Sequence, residues 1–295
     1  MRIVILGAKG MLGGALQKEF IRLGEVTALD SEEIDIIDED MVRKTIFGLK
    51  PNLVINAAAY TNVDGAENNR AVALAVNADG VGNVARAVKD LGAILIHYST
   101  DYVFAGTNQK GYREDDLPGP AVNCYGETKL AGERLLKEIS PNFYLIRTAW
   151  LYGVGGRNFV DTMIKLGEKI IRAEEGKREI RVVNDQWGSP TYTVDLAEAT
   201  RKIVEDKLAL GIYHLVNEGV TNWSSLAEEI FNSLKWGVSV IPVPSTESSR
   251  PAKRPTWSVL LNEKGPQLRS WQNALADYLG AGMMGNRQAD SGSIV

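Results

Sequence analysis

The chain has 295 residues, 44% of which are hydrophobic, and its formal net charge is −4 at pH 7. This size and apolar content are sufficient for a large buried core, in one large domain or in two unequal ones. The acidic balance excludes the broad basic surface that is typical of nucleic-acid-binding proteins.

Cysteine and histidine are both scarce. Cys124 is the single cysteine, which excludes an internal disulfide and fits a reducing compartment. With only His97 and His214 beside it, the chain lacks the ligands that a zinc site of the usual type requires, and we predict no metal. No apolar run approaches the roughly 20 residues that span a bilayer, and no signal sequence precedes the first predicted strand. We therefore expect a soluble, cytoplasmic protein.

The first half of the sequence alternates short apolar runs with amphipathic stretches. Apolar, β-branched runs predict strands at residues 2–6, 26–29, 53–55, 93–98 and 144–146. The spacing of apolar residues predicts three helices. The first carries Leu12, Leu16, Phe20 and Leu23 on one face, and the other two cover 40–48 and 67–91. Continuous apolar strands that alternate with helices indicate the α/β class, with a Rossmann-type doubly wound parallel sheet.

After about residue 150 the alternation loosens. Helices are predicted at 158–168, 194–206, 223–234 and 268–279, and extended segments at 180–183, 212–216 and 238–241, with Asn222 as an N-cap. We expect residues 1–150 to form the sheet domain and 151–280 mainly a smaller lobe, with some segments returning to the sheet. Residues 281–295 are polar and aperiodic, which predicts a disordered tail.

A glycine-rich loop follows the first predicted strand. Its pattern is G-x-x-G-x-x-G, and it consists of Gly7, Gly10, Met11, Leu12 and Gly13 with two further residues. Glycines allow a tight turn and a close approach of the backbone, and the helix that follows offers free N–H groups to a pyrophosphate. The loop predicts a dinucleotide site in residues 1–150, with an ordinary strand-to-helix turn as the alternative.

Further residues extend this predicted cofactor site. Asp30 follows the second strand, where a carboxylate binds ribose hydroxyls and repels a 2′-phosphate, which favours NADH. The alternative for Asp30 is a solvated turn residue. Asp35 and Ile36 are placed to cover the adenine. The third strand ends in three small side chains that leave room for a cofactor: Ala57, Ala58 and Ala59.

Tyr125 and Lys129 are spaced four residues apart on a predicted helix. That spacing puts them on one face, about 6 Å apart along the axis. An ammonium about 4 Å from a phenolate stabilises it by about 4 kcal/mol at an effective dielectric constant near 20, or roughly three pKa units. We therefore expect Lys129 to lower the pKa of Tyr125 towards neutrality, so that the tyrosine acts as an acid–base catalyst. The pair alone also occurs by chance in many helices.

Thr100 strengthens this interpretation. It follows the strand at 93–98, and its hydroxyl is therefore predicted at the carboxyl edge of the sheet, where it is able to bind a substrate carbonyl oxygen. A capping hydroxyl is the alternative. Other chemistries lack their residues, because no histidine lies close in sequence to Cys124 to activate it, and no nucleophile elbow or Walker loop is present.

Taken together, these motifs resemble the extended short-chain dehydrogenase/reductase superfamily from residue 1 to about 280. The segments that carry the resemblance are 7–13, 56–64, 99–104, 125–133, 147–150, 158–159, 185–192 and 250–255. Within the superfamily the chain is most similar to the branch that reduces the 4-keto group of a dTDP-linked hexose. The departures are small: Cys124 stands where an aliphatic residue is usual, and Ala149 where serine is common.

The resemblance implies a catalytic triad of Thr100, Tyr125 and Lys129, and either NADH or NADPH as cofactor. It implies a nucleotide-sugar pocket lined by Thr100, Asp101, Tyr102, Trp150, Asn158 and Gln186. Tyr60 and Asn77 are expected to join Tyr125 and Lys129 in the cofactor site. Some relatives are magnesium-dependent dimers, but the sequence offers no ligand cluster for a metal, and a homodimer stays open.

Four alternatives are weighed from the residues. Sister 4,6-dehydratases place a glutamate after the Thr-Asp pair, where this chain has Tyr102. Epimerase-reductases require an added cysteine and histidine, whereas the lone Cys124 precedes Tyr125 directly. A reductase or epimerase of another nucleotide sugar stays open, as does a cofactor-binding regulatory subunit. The complete triad favours catalysis.

Overall fold

The computed structural model describes residues 1–173 and 177–290, and their side chains as far as residue 281. The strands in chain order are β1 (Arg2–Leu6), β2 (Glu25–Leu29), β3 (Leu53–Asn56), β4 (Ile94–Thr100), β5 (Phe143–Thr148), β6 (Leu151–Tyr152), β7 (Glu179–Val183), β8 (Trp187–Gly188), β9 (Thr191–Tyr192), β10 (Gly211–His214), β11 (Thr221–Asn222) and β12 (Ser239–Val243). The α-helices are α1 (Met11–Phe20), α2 (Glu39–Leu49), α3 (Val63–Asn68), α4 (Arg70–Leu74), α5 (Gly80–Asp90), α6 (Cys124–Ile139), α7 (Phe159–Arg172), α8 (Thr193–Glu205), α9 (Trp223–Ser233) and α10 (Trp271–Asp290).

The main sheet has six parallel strands in the order β10-β5-β4-β3-β1-β2. Alternate strand residues face opposite sides, so that Ile3 and Ile5 pack under α1 and α8 whereas Val4 and Leu6 pack under α2, α5 and α6. Burial on both faces explains why the strands read as continuous apolar runs. The predicted Rossmann-type sheet is confirmed, and the order reverses between β1 and β3, where ligands bind in such folds.

The second half of the chain supplies both a lobe and part of the sheet domain. Helices α7, α9 and α10 share an apolar core with the small parallel sheet of β7 and β12. Strand β10 instead pairs with β5 as the outer strand of the main sheet, and α8 packs beside α1. The lobe faces the carboxyl edge of the sheet, so that a cavity forms between the two.

Three predicted elements differ from the structure. The helix predicted at 67–91 is wrong as one piece, because Asn69 leaves helical geometry with φ −125° and ψ 42° and separates α3 from α4. A π-helical turn, Ala75–Asp79, then joins α4 to α5. Leu23 lies beyond the end of α1 but packs against the same core. The last helix reaches Asp290, beyond the predicted 279, and residues 291–295 of the predicted tail lie outside the described residues.

Within the described residues, no helix combines the length and the apolar character that crossing a bilayer requires.

Candidate active site

A cavity of about 740 Å³ opens at the carboxyl edge of the main sheet, between the glycine-rich loop and the lobe. Most of the residues predicted for the site lie on its wall. They are Gly7, Gly10, Met11, Leu12, Gly13, Asp30, Asp35, Ile36, Ala57, Ala58, Ala59, Thr100, Asp101, Tyr102, Tyr125, Lys129 and Trp150. The cofactor and substrate portions predicted from the sequence therefore form one continuous space.

The glycine-rich loop packs too closely for side chains. Gly7 has φ 76°, and a Cβ there would lie 2.6 Å from the backbone nitrogen of Ala58. A Cβ on Gly13 would lie 2.1 Å from the carbonyl oxygen of Gly7. No side chain caps the first turn of α1, so its backbone N–H groups are available at the cavity wall. This cradle fits the pyrophosphate of a dinucleotide.

Asp30 stands at the end of β2 and is held by backbone donors. Its Oδ2 accepts from the N–H of Lys9 at 2.7 Å and its Oδ1 from the N–H of Ser31 at 2.8 Å. Partial burial acts to raise the pKa of Asp30, but the hydrogen bonds from Lys9 and Ser31 outweigh it and the pKa is lowered. Asp30 is therefore a fixed carboxylate at the cavity wall.

The N-terminal turns of α6 bring Tyr125 and Lys129 to the cavity wall. The side chain of Asn123 caps the helix by accepting from the N–H of Gly126 at 2.8 Å. A Cβ on Gly126 would lie 2.3 Å from the carbonyl oxygen of Tyr102, so a glycine is needed for α6 to approach the turn after β4. Thr100 is the last residue of β4, and the approach places it on the same cavity wall as Tyr125.

The electrostatics of Tyr125 differ from the prediction. Burial raises its pKa, the negative charge of Asp101 raises it further, and a hydrogen bond with Thr100 opposes both. The expected lowering by Lys129 is wrong for this structure. Nζ of Lys129 donates instead to the carbonyl oxygen of Tyr98 at 2.7 Å, and burial lowers the pKa of Lys129 itself to about 8, against the influence of Glu133.

Two stacked tryptophans form the side of the cavity that belongs to the lobe. The rings of Trp150 and Trp223 lie 3.5 Å apart at an interplanar angle of 9°. Trp150 has φ 48°, a left-handed conformation that bulky residues rarely adopt. Nε1 of Trp223 donates to Oε1 of Gln186 at 3.2 Å, which holds the ring of Trp223 in place.

Four predicted residues lie behind the wall instead of on it. Asn77 is fully buried, and its amide bonds both the N–H and the carbonyl of Tyr60, at 2.9 and 3.0 Å. Asn158 caps α7 by accepting from the N–H of Asp161 at 2.9 Å. Gln186 accepts a hydrogen bond from Nε1 of Trp223. Gln186 thus holds a wall residue, Trp223, whereas Asn77 holds Tyr60. The cofactor- and substrate-binding roles of these four residues stay predictions.

Other wall residues were missed by the sequence analysis. They include Ser31, Thr61, Val63, Gly155, Gly156, Arg157 and Trp223. Most of them belong to loops whose approach depends on the tertiary fold. Trp223 did carry a local signal, because the predicted N-cap Asn222 places it at the first position of a helix.

No metal cluster was found in the part of the chain that the structure describes: no three His, Cys, Asp or Glu side chains converge there.

Comparison with known proteins gives one family. The family model described as the RmlD substrate binding domain matches residues 1–283. A dTDP-4-dehydrorhamnose reductase of Streptomyces griseus is 42% identical over 288 residues, covering 94% of this chain and 92% of the relative.

Two solved structures are similar over nearly their whole length. A dTDP-4-dehydrorhamnose reductase from Clostridium acetobutylicum has a TM-score of 0.90 and 40% identity, covering 95% of this chain and 99% of that one. The enzyme of the same description from Bacillus anthracis, in complex with NADP, has a TM-score of 0.89 and 38% identity, with the same coverage.

Proposed function

The chain belongs to the RmlD substrate-binding-domain family, and on that premise we propose that it reduces the 4-keto group of dTDP-4-dehydro-L-rhamnose, with Tyr125 as the proton donor. It is an NAD(P)H-dependent oxidoreductase, and the product is dTDP-L-rhamnose. The observation that carries the assignment of roles is that Thr100, Tyr125 and Lys129 lie on the wall of one cavity together with the glycine-rich loop.

The residues present fit a dinucleotide cofactor. The loop Gly7–Gly13 and the first turn of α1 would hold its pyrophosphate, Asp30 its adenosine ribose and Ile36 its adenine. Lys129 would bind the ribose next to the nicotinamide. When bound, NADH or NADPH supplies the hydride for the carbonyl carbon.

Tyr125 serves reduction in its neutral form. Because burial raises its pKa, the phenol keeps its proton at neutral pH and has it ready for the substrate oxygen. The oxygen gains negative charge as the carbonyl is reduced, and Thr100 orients it beside the phenol. Trp150 and Trp223 close the lobe side of the pocket with an apolar surface for the sugar.

We also propose a location in the cytoplasm, because the single cysteine, Cys124, is free and the chain forms no internal disulfide. A homodimer stays a prediction.

The test follows loss of NADH or NADPH absorbance with dTDP-4-dehydro-L-rhamnose, for the wild type and Tyr125→Phe. We expect turnover that falls by about 10²–10⁴-fold in the variant, the usual contribution of a general acid. Tyr144→Phe is the matched control, because it also removes a tyrosine hydroxyl, bonded to the carbonyl of Leu208 outside the cavity. Turnover that survives Tyr125→Phe would exclude Tyr125 as the proton donor. Cofactor binding without turnover by the wild type would overturn the proposed substrate.

A further inference from the structure

Asp101 is a fully buried carboxyl group on the cavity wall that the roles above leave unused. Its Oδ1 lies 2.9 Å from Oγ1 of Thr100, and its Oδ2 lies 2.5 Å from Oγ of Ser258. Ser258 is buried as well. Among the side chains that the structure describes, those that shift the pKa of Asp101 are the hydroxyl groups of Ser258 and Thr100, and none is a cation. The hydroxyl groups of Thr100 and Ser258 are therefore the side-chain neighbours that influence the protonation of Asp101.

Burial without a cation makes the protonated form accessible. Burial raises the pKa of Asp101 to about 7, while hydrogen bonds from Ser258 and Thr100 act in the opposite direction. The titratable groups that face it are Tyr102, in its own turn, and Tyr125, on α6. Burial raises the pKa of both tyrosines, so both stay neutral near neutral pH. Lys129, on the same cavity wall, has a pKa of about 8, so its titration follows that of Asp101 on the alkaline side.

The protonation state of Asp101 decides what Thr100 is able to do. A threonine hydroxyl has one hydrogen to donate. When Asp101 is ionised, that hydrogen is directed to Oδ1, and Oγ1 of Thr100 also accepts from the N–H of Tyr102 at 3.2 Å. No hydrogen is then left for a substrate oxygen. When Asp101 is protonated, its own O–H is able to donate to Oγ1, which frees the threonine hydrogen.

We propose that Asp101 is a positioning residue whose protonated form donates a hydrogen bond to Thr100 and thereby turns the threonine hydroxyl towards the substrate oxygen. The inference rests on the proposed function, since it concerns the same ketone. Asp101 keeps its proton throughout. The proton that the product gains comes from Tyr125, and the hydroxyl of Thr100 stabilises the developing oxyanion as a donor.

The first test measures the single-turnover rate of NADH or NADPH oxidation from about pH 5.5 to about pH 9, a range that brackets the titration. The wild-type rate should fall as the pH rises through the pKa of Asp101. Asp101→Asn should lose the fall near pH 7, because its amide N–H₂ donates to Thr100 at every pH, and should keep only the fall near pH 8 that the titration of Lys129 causes. Ser258→Ala should move the fall to higher pH, because it removes a donor that stabilises the carboxylate.

A merely structural role for Asp101 predicts neither shift. The proposal is overturned if Asp101→Asn keeps the wild-type pH profile, or if it binds cofactor normally and is as slow as Asp101→Ala. It is also overturned if Ser258→Ala moves the profile to lower pH or leaves it in place. Ser258→Ala provides an answer even if Asp101→Asn fails to fold.

A second measurement needs no turnover. Infrared difference spectra of the cofactor-free protein, wild type minus Asp101→Asn, should contain the C=O stretch of a protonated carboxylic acid that disappears as the pH rises through about 7. Absence of that band near pH 6 would overturn the inference. Failure of the proposed function gives a different pattern, in which the band titrates as expected but the wild type does not oxidise the cofactor at any pH.

Discussion

Nζ of Lys129 lies 3.5 Å from Nε2 of His97, and both side chains are buried between α6 and the sheet. Burial, together with the positive charge of Lys129, holds the pKa of His97 well below its usual value. The imidazole is therefore neutral, and a neutral imidazole has one nitrogen free to accept a hydrogen bond. His97 and the carbonyl oxygen of Tyr98 together fix the direction of the lysine side chain.

We predict that His97→Leu lowers kcat by about 10–100-fold, because losing a hydrogen bond to a charged group costs about 1.5–3 kcal/mol. His97→Gln keeps an acceptor and should stay within a few-fold of the wild type. Steady-state kinetics of both variants, with thermal melts to verify folding, provide the measurement. Equal activity of His97→Leu and the wild type would show that the acceptor is unnecessary.

Burial of Lys129 should reduce stability in a pH-dependent way. Its pKa is about 8 in the fold against 10.5 in the free side chain, so the unfolded state binds more protons between these values. Stability therefore rises with pH over that window. We predict that Lys129→Met, of similar length, is inactive but more stable than the wild type at pH 7, by at most about 3 kcal/mol.

Urea denaturation of both proteins from about pH 7 to about pH 10.5 tests this prediction, because it reports the free energy of unfolding at each pH. The advantage of Lys129→Met should be largest below pH 8 and should shrink towards pH 10.5. A constant difference across the window would mean that the lysine has an ordinary pKa in the fold.

The sheet domain was predictable because its strands are buried on both faces. Val4 and Ile5 face opposite helical layers, so hydrophobicity runs without a break along β1, and the glycine-rich loop follows at once. Tyr125 and Lys129 were predictable for a similar reason, since a spacing of four fixes a shared helix face. In both cases the signal lies within a few neighbouring residues.

Features that depend on distant partners were not predictable. Asn69 breaks the helix predicted at 67–91, although apolar periodicity continues on either side of it. The amide of Asn77 in the adjoining π-helical turn binds the backbone of Tyr60, which lies 17 residues away. The pKa of Tyr125 also escaped prediction, because helix spacing gives the distance to Lys129 but not the direction of its ammonium or the depth of burial.

Trp223 should determine how well the substrate binds. Its ring stacks on that of Trp150, Gln186 holds it, and both tryptophans line the cavity. We predict that Trp223→Ala raises the substrate KM about tenfold or more with a smaller change in kcat, whereas Trp223→Phe keeps part of the stacking energy of about 0.5–1.5 kcal/mol. Trp236→Phe, in the core of the lobe, is the control. An unchanged KM in Trp223→Ala would remove this surface from the binding site.

Arg147 and Glu133 form a fully buried, bidentate ion pair that joins β5 to α6, with N–O distances of 2.9 and 2.8 Å. Arg147 also donates towards Nε2 of His214 at 3.3 Å, and burial lowers the pKa of His214 to about 3, so the histidine is a neutral acceptor. We predict that Arg147→Met destabilises the fold by about 3–5 kcal/mol, because it leaves the charge of Glu133 buried alone. The double variant Glu133→Leu/Arg147→Met should recover much of that loss in urea denaturation. Additive losses would instead mean that packing dominates.

The choice between NADH and NADPH should depend on the acidic turn after β2. Asp30 is ionised and fixed at the cavity wall, and Glu32 and Glu33 follow it closely. Lys9 is the cation beside them, and its Nζ lies 2.5 Å from Oε2 of Glu32. The carboxylate of Asp30 should repel the two negative charges of the 2′-phosphate of NADPH. Its oxygens are able to accept a hydrogen bond from the 2′-hydroxyl of the adenosine ribose in NADH.

We therefore predict that the wild type uses NADH more efficiently than NADPH. Asp30→Ala should shift the ratio of the two kcat/KM values about tenfold towards NADPH. The reason is that one charge at about 4 Å in water contributes about 1 kcal/mol per phosphate charge. Glu32→Ala frees the ammonium of Lys9 and should shift the ratio in the same direction, with an effect that weakens at high salt. Glu39→Ala, on α2 and paired with Arg86, removes a carboxylate outside the cavity wall and is the control. A ratio that Asp30→Ala leaves unchanged would show that the fixed carboxylate does not discriminate between the cofactors.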